Sequence, residues 1–174
     1  MAATVTMSES NGVGEDITTS ITNSNMGSTD AVNLAAVTYP ITAGTNSFEK
    51  FQRFRCSADG GSSALLNWKV WASAGLSANC SLKTNARESD YGGATAYVQP
   101  SATDRSATYG YTQAMPTSEP TGSNLGYGGT LGASMDITGE LPKYSDYLVM
   151  QIQTTIAATA GTTVTMNYQY DEVA

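Results

Sequence analysis

The chain is expected to fold as an all-β protein, an antiparallel β-sandwich or jelly roll that carries one long Tyr/Gly/Pro-rich loop. Three observations predict this. Apolar residues recur with period two in several short runs, which puts them on one face of a strand. No segment sustains the 3.6-residue period over the ten or more residues of a major helix. The runs are separated by turns of Gly, Ser and Asn, the spacing of sandwiches and barrels. At 174 residues the length fits one domain, able to bury roughly 70% of the surface its unfolded form exposes. Residues 1–174 are therefore read as a single sandwich, with 1–14 as an N-terminal arm and 99–130 as the long loop.

The clearest alternation lies at the C-terminus. Leu148, Met150, Ile152, Thr154 and Ile156 alternate with Val149, Gln151, Gln153 and Thr155, and Val164, Met166, Tyr168 and Tyr170 with Thr165, Asn167, Gln169 and Asp171. The even-numbered residues are expected to face inward. The Ala-Thr-Ala-Gly segment ending at Gly161 offers a reversal between the two runs, so they are expected to pair as an antiparallel hairpin. Leu66, Trp68 and Val70 are set against Leu65, Asn67, Lys69 and Trp71 in another strand. Phe51 to Cys56 reads as a strand in preference to a short helical face on Phe48, Phe51 and Phe54. Further strands are expected at Thr4 to Met7, Ile17 to Thr22, Ala36 to Ile41, Ser81 to Thr84, Ala94 to Val98 and Met135 to Thr138.

The region from Gln99 to Thr130 breaks this rhythm. It holds Tyr109, Tyr111 and Tyr127 among Gly, Ser and Pro, with almost no aliphatic residues. Loops of this length inside compact domains are uncommon and tend to be functional or disordered. Tyr set among Gly and Ser is also the composition of adaptable contact surfaces. The alternative is an excursion that packs its tyrosines on its own sheet.

Hydrophobic residues make up 40% of the chain and charged residues 13%, about half the usual charged share of roughly 25%. Such a surface can be covered by a neighbouring subunit without stranding charges, whose burial costs several kcal/mol each. Ser- and Thr-rich surfaces are also ordinary in all-β domains. Fifteen acidic against eight basic residues give a net charge of −7. The Lys and Arg form no run, so nucleic acid is not expected as a partner. Their one local concentration, Lys50, Arg53 and Arg55 beside Glu49, reads as a solvated or ion-paired strand face. No apolar run approaches the roughly 20 residues of a spanning helix, and no membrane partner is expected. The start, MAATVTMSES, has neither a basic nor an apolar leader segment, which suggests synthesis and retention in a cytoplasm. Cys56 and Cys80 lack the His or further Cys of a zinc quartet; two buried free thiols are expected, with a disulfide between them left open.

The chain contains no histidine. That removes the commonest general base and the Ser-His and Cys-His nucleophile pairs. Glu15 with Asp16, Glu88 with Asp90, and Asp171 with Glu172 are adjacent carboxylates of the kind a glycosidase uses, but each falls at a strand end or turn where acids are ordinarily solvated. No Asp-x-Asp-x-Asp-Gly calcium loop is present. Glycines at Asp59 to Gly61, Gly92 to Gly93 and Gly126 to Gly129 lack the Lys-Ser or Lys-Thr ending of a phosphate loop and read as turns. No catalytic activity, cofactor or metal is expected. Trp68 and Trp71, three apart on one strand, face opposite sides. One of them is then free to stack on a sugar ring, which keeps a carbohydrate-binding module open beside core and interface roles.

Two groups of segments carry a family resemblance. Asn25-Met-Gly-Ser-Thr-Asp-Ala-Val-Asn-Leu34, Tyr39-Pro-Ile41, Ala43-Gly44 and Asn46-Ser-Phe-Glu-Lys-Phe51 form the first; Ser145-Asp-Tyr-Leu-Val-Met-Gln-Ile152 and Tyr168-Gln-Tyr-Asp-Glu172 form the second. Together they resemble small auxiliary virion proteins of tailed bacteriophages. The resemblance implies a decoration (cement) protein that binds the outside of an assembled head and reinforces it, with the major capsid protein and copies of itself as partners. Such proteins are often β-rich and trimeric. It also implies a place on the capsid surface of the virion after synthesis in the host cytoplasm. A tail or neck component is the alternative within the same class. An acidic chain stays soluble at high concentration and avoids packaged DNA. Partner contact is expected from the arm, Ala2, Ala3, Thr4, Val5, Thr6 and Met7, adding a strand to a neighbour's sheet edge, and from Tyr109, Tyr111, Met115 and Tyr127 of the loop.

Overall fold

The computed structural model describes residues 2–159 and 163–174. In chain order its elements are β1 (Thr4–Asn11), β2 (Asp16–Thr19), β3 (Lys50–Ala58), β4 (Ala64–Ala72), β5 (Cys80–Thr84), α1 (Ser106–Tyr109), β6 (Gln113–Ala114), β7 (Gly126–Tyr127), β8 (Thr130–Leu131), β9 (Met135–Asp136), β10 (Lys143–Tyr144), β11 (Leu148–Thr154) and β12 (Met166–Val173). The large sheet runs β2-β1-β3-β11-β5-β6, with β10 also on β3, and the small sheet runs β12-β4-β9. Every named pairing is antiparallel. The protein is an all-β sandwich. Among the described residues the one helical element is a single turn, closed by Gly110 in the left-handed conformation at φ 74°.

Phe54 and Cys56 of β3 and Leu148 and Met150 of β11 pack from the large sheet against Leu65, Trp68, Val70 and Ala72 of β4. Met135 and Ile137 close the end of this core. The Phe54 and Trp68 rings lie 5.1 Å apart, and Tyr168 and Tyr170 of β12 meet Phe54 edge-on at 5.9 and 6.0 Å. A second cluster lies on the opposite face of the large sheet. There Phe51 and Val149 are covered by Ala94, Tyr111 and Tyr147, with Tyr97, Val98 and Tyr109 around them. The large sheet is thus buried on both sides where β3 and β11 pair.

This double cover revises several expectations. On β11 the even-numbered Leu148 and Met150 face the main core, but the odd-numbered Val149 and Gln151 are also fully buried, beneath the second layer. Ile152 is half-buried and Ile156 is exposed, beyond the strand. Val164 just before β12 and the even-numbered Met166, Tyr168 and Tyr170 on it do pack on the core. Leu148→Ala and Met150→Ala should each cost about 2–5 kcal/mol in urea unfolding and Ile156→Ala no more than about 0.5. Equal losses at positions 148 and 156 would contradict this placement.

The expected C-terminal hairpin does not form. β11 pairs with β3 and β5 in the large sheet, whereas β12 pairs with β4 in the small one. The connection therefore crosses between layers; Ala160 and Gly161 of the expected reversal lie outside the described residues. Ala36 to Ile41 is turn and irregular structure, and Ala94 to Val98 contributes only the isolated bridge of Ala94 with Tyr147. In β4, Leu65 is buried and Leu66 only half so, the reverse of a strict alternation. Asn67 adopts φ 56°, and Leu66 faces Asp171 while Lys69 faces Gln169, so two residues oppose Tyr170. This bulge shifts the inward register by one and brings Trp68, Val70 and Ala72 onto the core face.

The arm and the loop are both built into the fold. β1 pairs with β3 from Thr4 to Ser10 and with β2 from Ser8 to Asn11, which puts Thr4 to Asn11 in the large sheet. The Glu172 carboxylate accepts from the Ala3 amide at 3.0 Å and the Ser62 hydroxyl at 2.8 Å, which holds its carboxyl below the usual range and ties the start of β1 to the end of β12. The 99–130 segment supplies α1 and β6 and then lays Asn124 beside β4. The Asn124 side chain accepts from the Val70 amide at 2.8 Å and donates to the Val70 carbonyl at 2.7 Å, standing in for a neighbouring strand. Asn85 does the same for β11, accepting from the Val149 amide and donating to the Tyr147 carbonyl.

Candidate functional site

The small sheet has three strands against the six along the large one, so it leaves part of the large sheet's inner face uncovered beyond β12. A groove of about 1070 Å³ opens there. Its floor is Met7 of β1, Met150 and Ile152 of β11 and Leu82 of β5, and one wall is Val164, Met166 and Tyr168 along β12. The other wall comes from the 21–26 and 36–43 segments. Among the described residues no strand pairs with the outer edge of β12. An apolar trough beside an open strand edge is a geometry suited to another protein's backbone and side chains.

Polar groups converge at one end. The Tyr168 hydroxyl donates to Gln52 Oε1 at 3.1 Å, and the Gln52 amide donates to Glu9 Oε2 and the Ser24 hydroxyl at 2.9 and 2.8 Å. Burial pushes the Tyr168 hydroxyl up to about 12. Lys50 Nζ donates to Glu9 Oε1 and to the Ala31 carbonyl, each at 2.6 Å. Glu9 and Lys50 are 0% and 1% exposed, so this face is ion-paired but not solvated. The partner of Lys50 sits across the sheet on β1, which its neighbours in sequence do not reveal.

Exposed apolar side chains stand on the segments that line the groove. Val37 is 91% exposed, Tyr39 is 42% exposed, and Ile156 at 90% stands against Gly44. Sequence reasoning missed this patch. The alternation of Val37, Tyr39 and Ile41 was its signal, but it indicates a half-buried strand only where another strand is present to receive it.

The expected contact residues are dispersed. Tyr111 is fully buried in the second cluster, its hydroxyl donating to Glu49 Oε1 at 2.6 Å and accepting from the Arg105 amide at 2.7 Å; burial pushes this phenol up. Met115 and Ala3 are buried in the main core. Tyr109 packs half-exposed against Phe51, with the Arg105 guanidinium 4.8 Å from its ring. Tyr127 is half-buried against the main core. Thr4 is exposed in β1, Val5, Thr6 and Met7 are half-buried there, and Ala2 is exposed just before it. Met7 alone of these lines the groove.

Trp68 is fully buried and donates its indole N–H to the Ala133 carbonyl at 3.0 Å, so it offers no stacking face; Trp71 is half-buried on the opposite side of β4. The adjacent carboxylates serve the fold. Glu15 pairs with Arg53 at 3.0 Å and accepts from the Tyr147 hydroxyl, Glu88 accepts from Thr121 and the Gly122 amide, and Asp171 accepts from Asn67. Cys56 is buried, its thiol pushed up by desolvation, Cys80 is half-buried, and both are free. Among the described residues no group of His, Cys, Asp and Glu is placed to hold a metal ion, and no helix is long and apolar enough to cross a membrane.

Comparison with protein-family models, with curated proteins and with solved structures finds no match to this chain.

Proposed function

We propose that the protein is a non-enzymatic virion component, a decoration protein that packs on the outer surface of a phage head and on copies of itself. The observation that carries this reading is the exposed apolar surface on the segments that line the groove, where Val37 and Ile156 are almost fully exposed, together with the open edge of β12. Exposed apolar surface together with an unpaired strand edge marks a protein-binding site more often than a solvated face. The low charge density suits the same role, because few charges would be desolvated on contact. The likeness of the 25–51 and 145–172 segments to phage virion proteins supplies the identity of the partner.

The 36–45 turns and the 155–158 segment replace the loop tyrosines as the proposed contact surface. Val37→Asp with Ile156→Asp should leave the melting temperature nearly unchanged, since both residues are solvated in the free protein. Occupancy on purified heads should fall at least about thirtyfold, which corresponds to roughly 2 kcal/mol. Unchanged occupancy would exclude this face, and binding to isolated tails with none to heads would place the protein in the tail or neck instead.

A further inference from the structure

The end of the large sheet that holds Lys50 and Glu9 also holds an unsatisfied carboxamide. Ser10 lies opposite Phe51 and Glu9 opposite Gln52 in the β1–β3 ladder. Continued by one step, that register sets Asn11 opposite Lys50 on the face that carries Glu9, and side chains so placed have Cβ atoms about 5 Å apart. Asn11 is 8% exposed. Its Nδ2 donates to Asp30 Oδ1 at 2.9 Å, while its Oδ1 is buried with no hydrogen-bond partner. Asp30 is followed by Ala31, whose carbonyl holds Lys50 Nζ at 2.6 Å, so one short segment grips both the amine and the amide. Gln52, the other carboxamide beside Glu9, has both its oxygen and its nitrogen engaged.

A buried amine, a carboxyl group in hydrogen-bond contact with it and a carboxamide with an open oxygen are the parts of an amide-transfer reaction. We infer that Lys50, Glu9 and Asn11 form a self-processing site that joins Lys50 Nζ to Asn11 Cγ as an internal amide cross-link, with loss of ammonia. A proton first passes from Nζ to Glu9 along their 2.6 Å hydrogen bond, leaving an amine and a carboxylic acid. The amine attacks Asn11 Cγ and forms the Nζ–Cγ bond, while the Glu9 acid donates its proton to Oδ1. Glu9 then takes a proton from Nζ and delivers it to Nδ2. The Cγ–Nδ2 bond breaks, the carbonyl re-forms by returning the Oδ1 proton to Glu9, and ammonia departs. One hydrogen of the amine ends on the leaving nitrogen, Glu9 passes the proton returned from Oδ1 to the departing ammonia and ends, as it began, a carboxylate, and nothing is oxidised or reduced.

The enclosure favours the product. An ammonium held away from water carries a desolvation cost that a neutral amide does not. The cross-link would join β1 to β3 covalently at the end of their ladder, where Asn11 and Lys50 are the terminal strand residues.

Intact mass spectrometry of the purified full chain tests this without any variant. The expected result is a species lighter than the encoded mass by one ammonia, with a digest that contains the Asn11 peptide joined to the Lys50 peptide. Lys50→Arg and Glu9→Gln should each restore the encoded mass, and Asn11→Asp should lose water in place of ammonia. A wild-type chain at its full encoded mass would overturn the inference. So would a loss of ammonia that persists in Lys50→Arg, because it would arise from ring closure at Asn11–Gly12 instead.

Discussion

Trp68→Ala should lower the free energy of unfolding by about 3–5 kcal/mol, the range for removing a large aromatic from a closed core. Trp68 is 0% exposed and lies in the main core with its ring 5.1 Å from that of Phe54 and 6.3 Å from that of Tyr170. Two terms add. The lost side chain leaves a cavity between β3 and β4 that those strands cannot close without breaking their ladders, and the Ala133 carbonyl loses the indole N–H that satisfies it. Urea unfolding followed by circular dichroism measures the loss as a shift of the midpoint at constant slope. Trp71→Ala is the internal comparison, since that ring is half-buried on the other side of the strand, and it should cost markedly less. A loss below about 1 kcal/mol at Trp68 would mean that the inward register after the Asn67 bulge is wrong.

That bulge shows where a one-dimensional reading stops. Period-two alternation located β3, β4, β5, β11 and β12, because each has at least one face against a core. It could not place Leu65 and Trp68 on the same side, because the extra residue at Asn67 becomes visible only when β12 is laid against β4. Alternation also misled at Val37, Tyr39 and Ile41, where no strand arrives to receive it. Neighbours in sequence tend to be neighbours in space, and that expectation paired β11 with β12; the structure instead sends them to opposite layers. The candidate site was less legible still. Lys50 and Arg53 read as a solvated or ion-paired face beside Glu49, but their partners are Glu9 and Glu15, from about forty residues earlier, which meet them across the β1–β3 ladder and beside it. Cross-strand partners leave no local mark in sequence.

The same lesson bears on the long loop, where Glu49→Ala should have the second large effect. Glu49 is 0% exposed and is the point at which the 99–111 segment is fastened to the large sheet. Its carboxylate accepts from the Ser101 amide at 3.0 Å, from the Tyr111 hydroxyl at 2.6 Å and from Arg105 through both Nε and a terminal nitrogen. The Arg105 guanidinium, held further toward its charged form by this carboxylate, also donates to the Gln99 carbonyl at 2.9 Å. A stretch poor in aliphatic residues thus recovers its ordering entropy from the buried Glu49 carboxylate, from the buried Gln151 amide that donates to the Ser101 and Thr103 carbonyls, and from the Phe51, Val149 and Tyr147 surface beneath it, with no second protein needed. Removing one member of a buried ion pair costs about 3–5 kcal/mol, and the lower end applies here because Arg105 is 23% exposed and regains water. Loss of Glu49 also strands the Tyr111 hydroxyl beneath the loop. The expected result is a fall of about 3 kcal/mol in urea unfolding, together with rapid proteolytic cleavage between Gln99 and Gly110 under conditions that leave the wild type intact. Cleavage at the wild-type rate with unchanged stability would show that the apolar contacts of Tyr97, Tyr109 and Tyr111 hold the segment without the carboxylate.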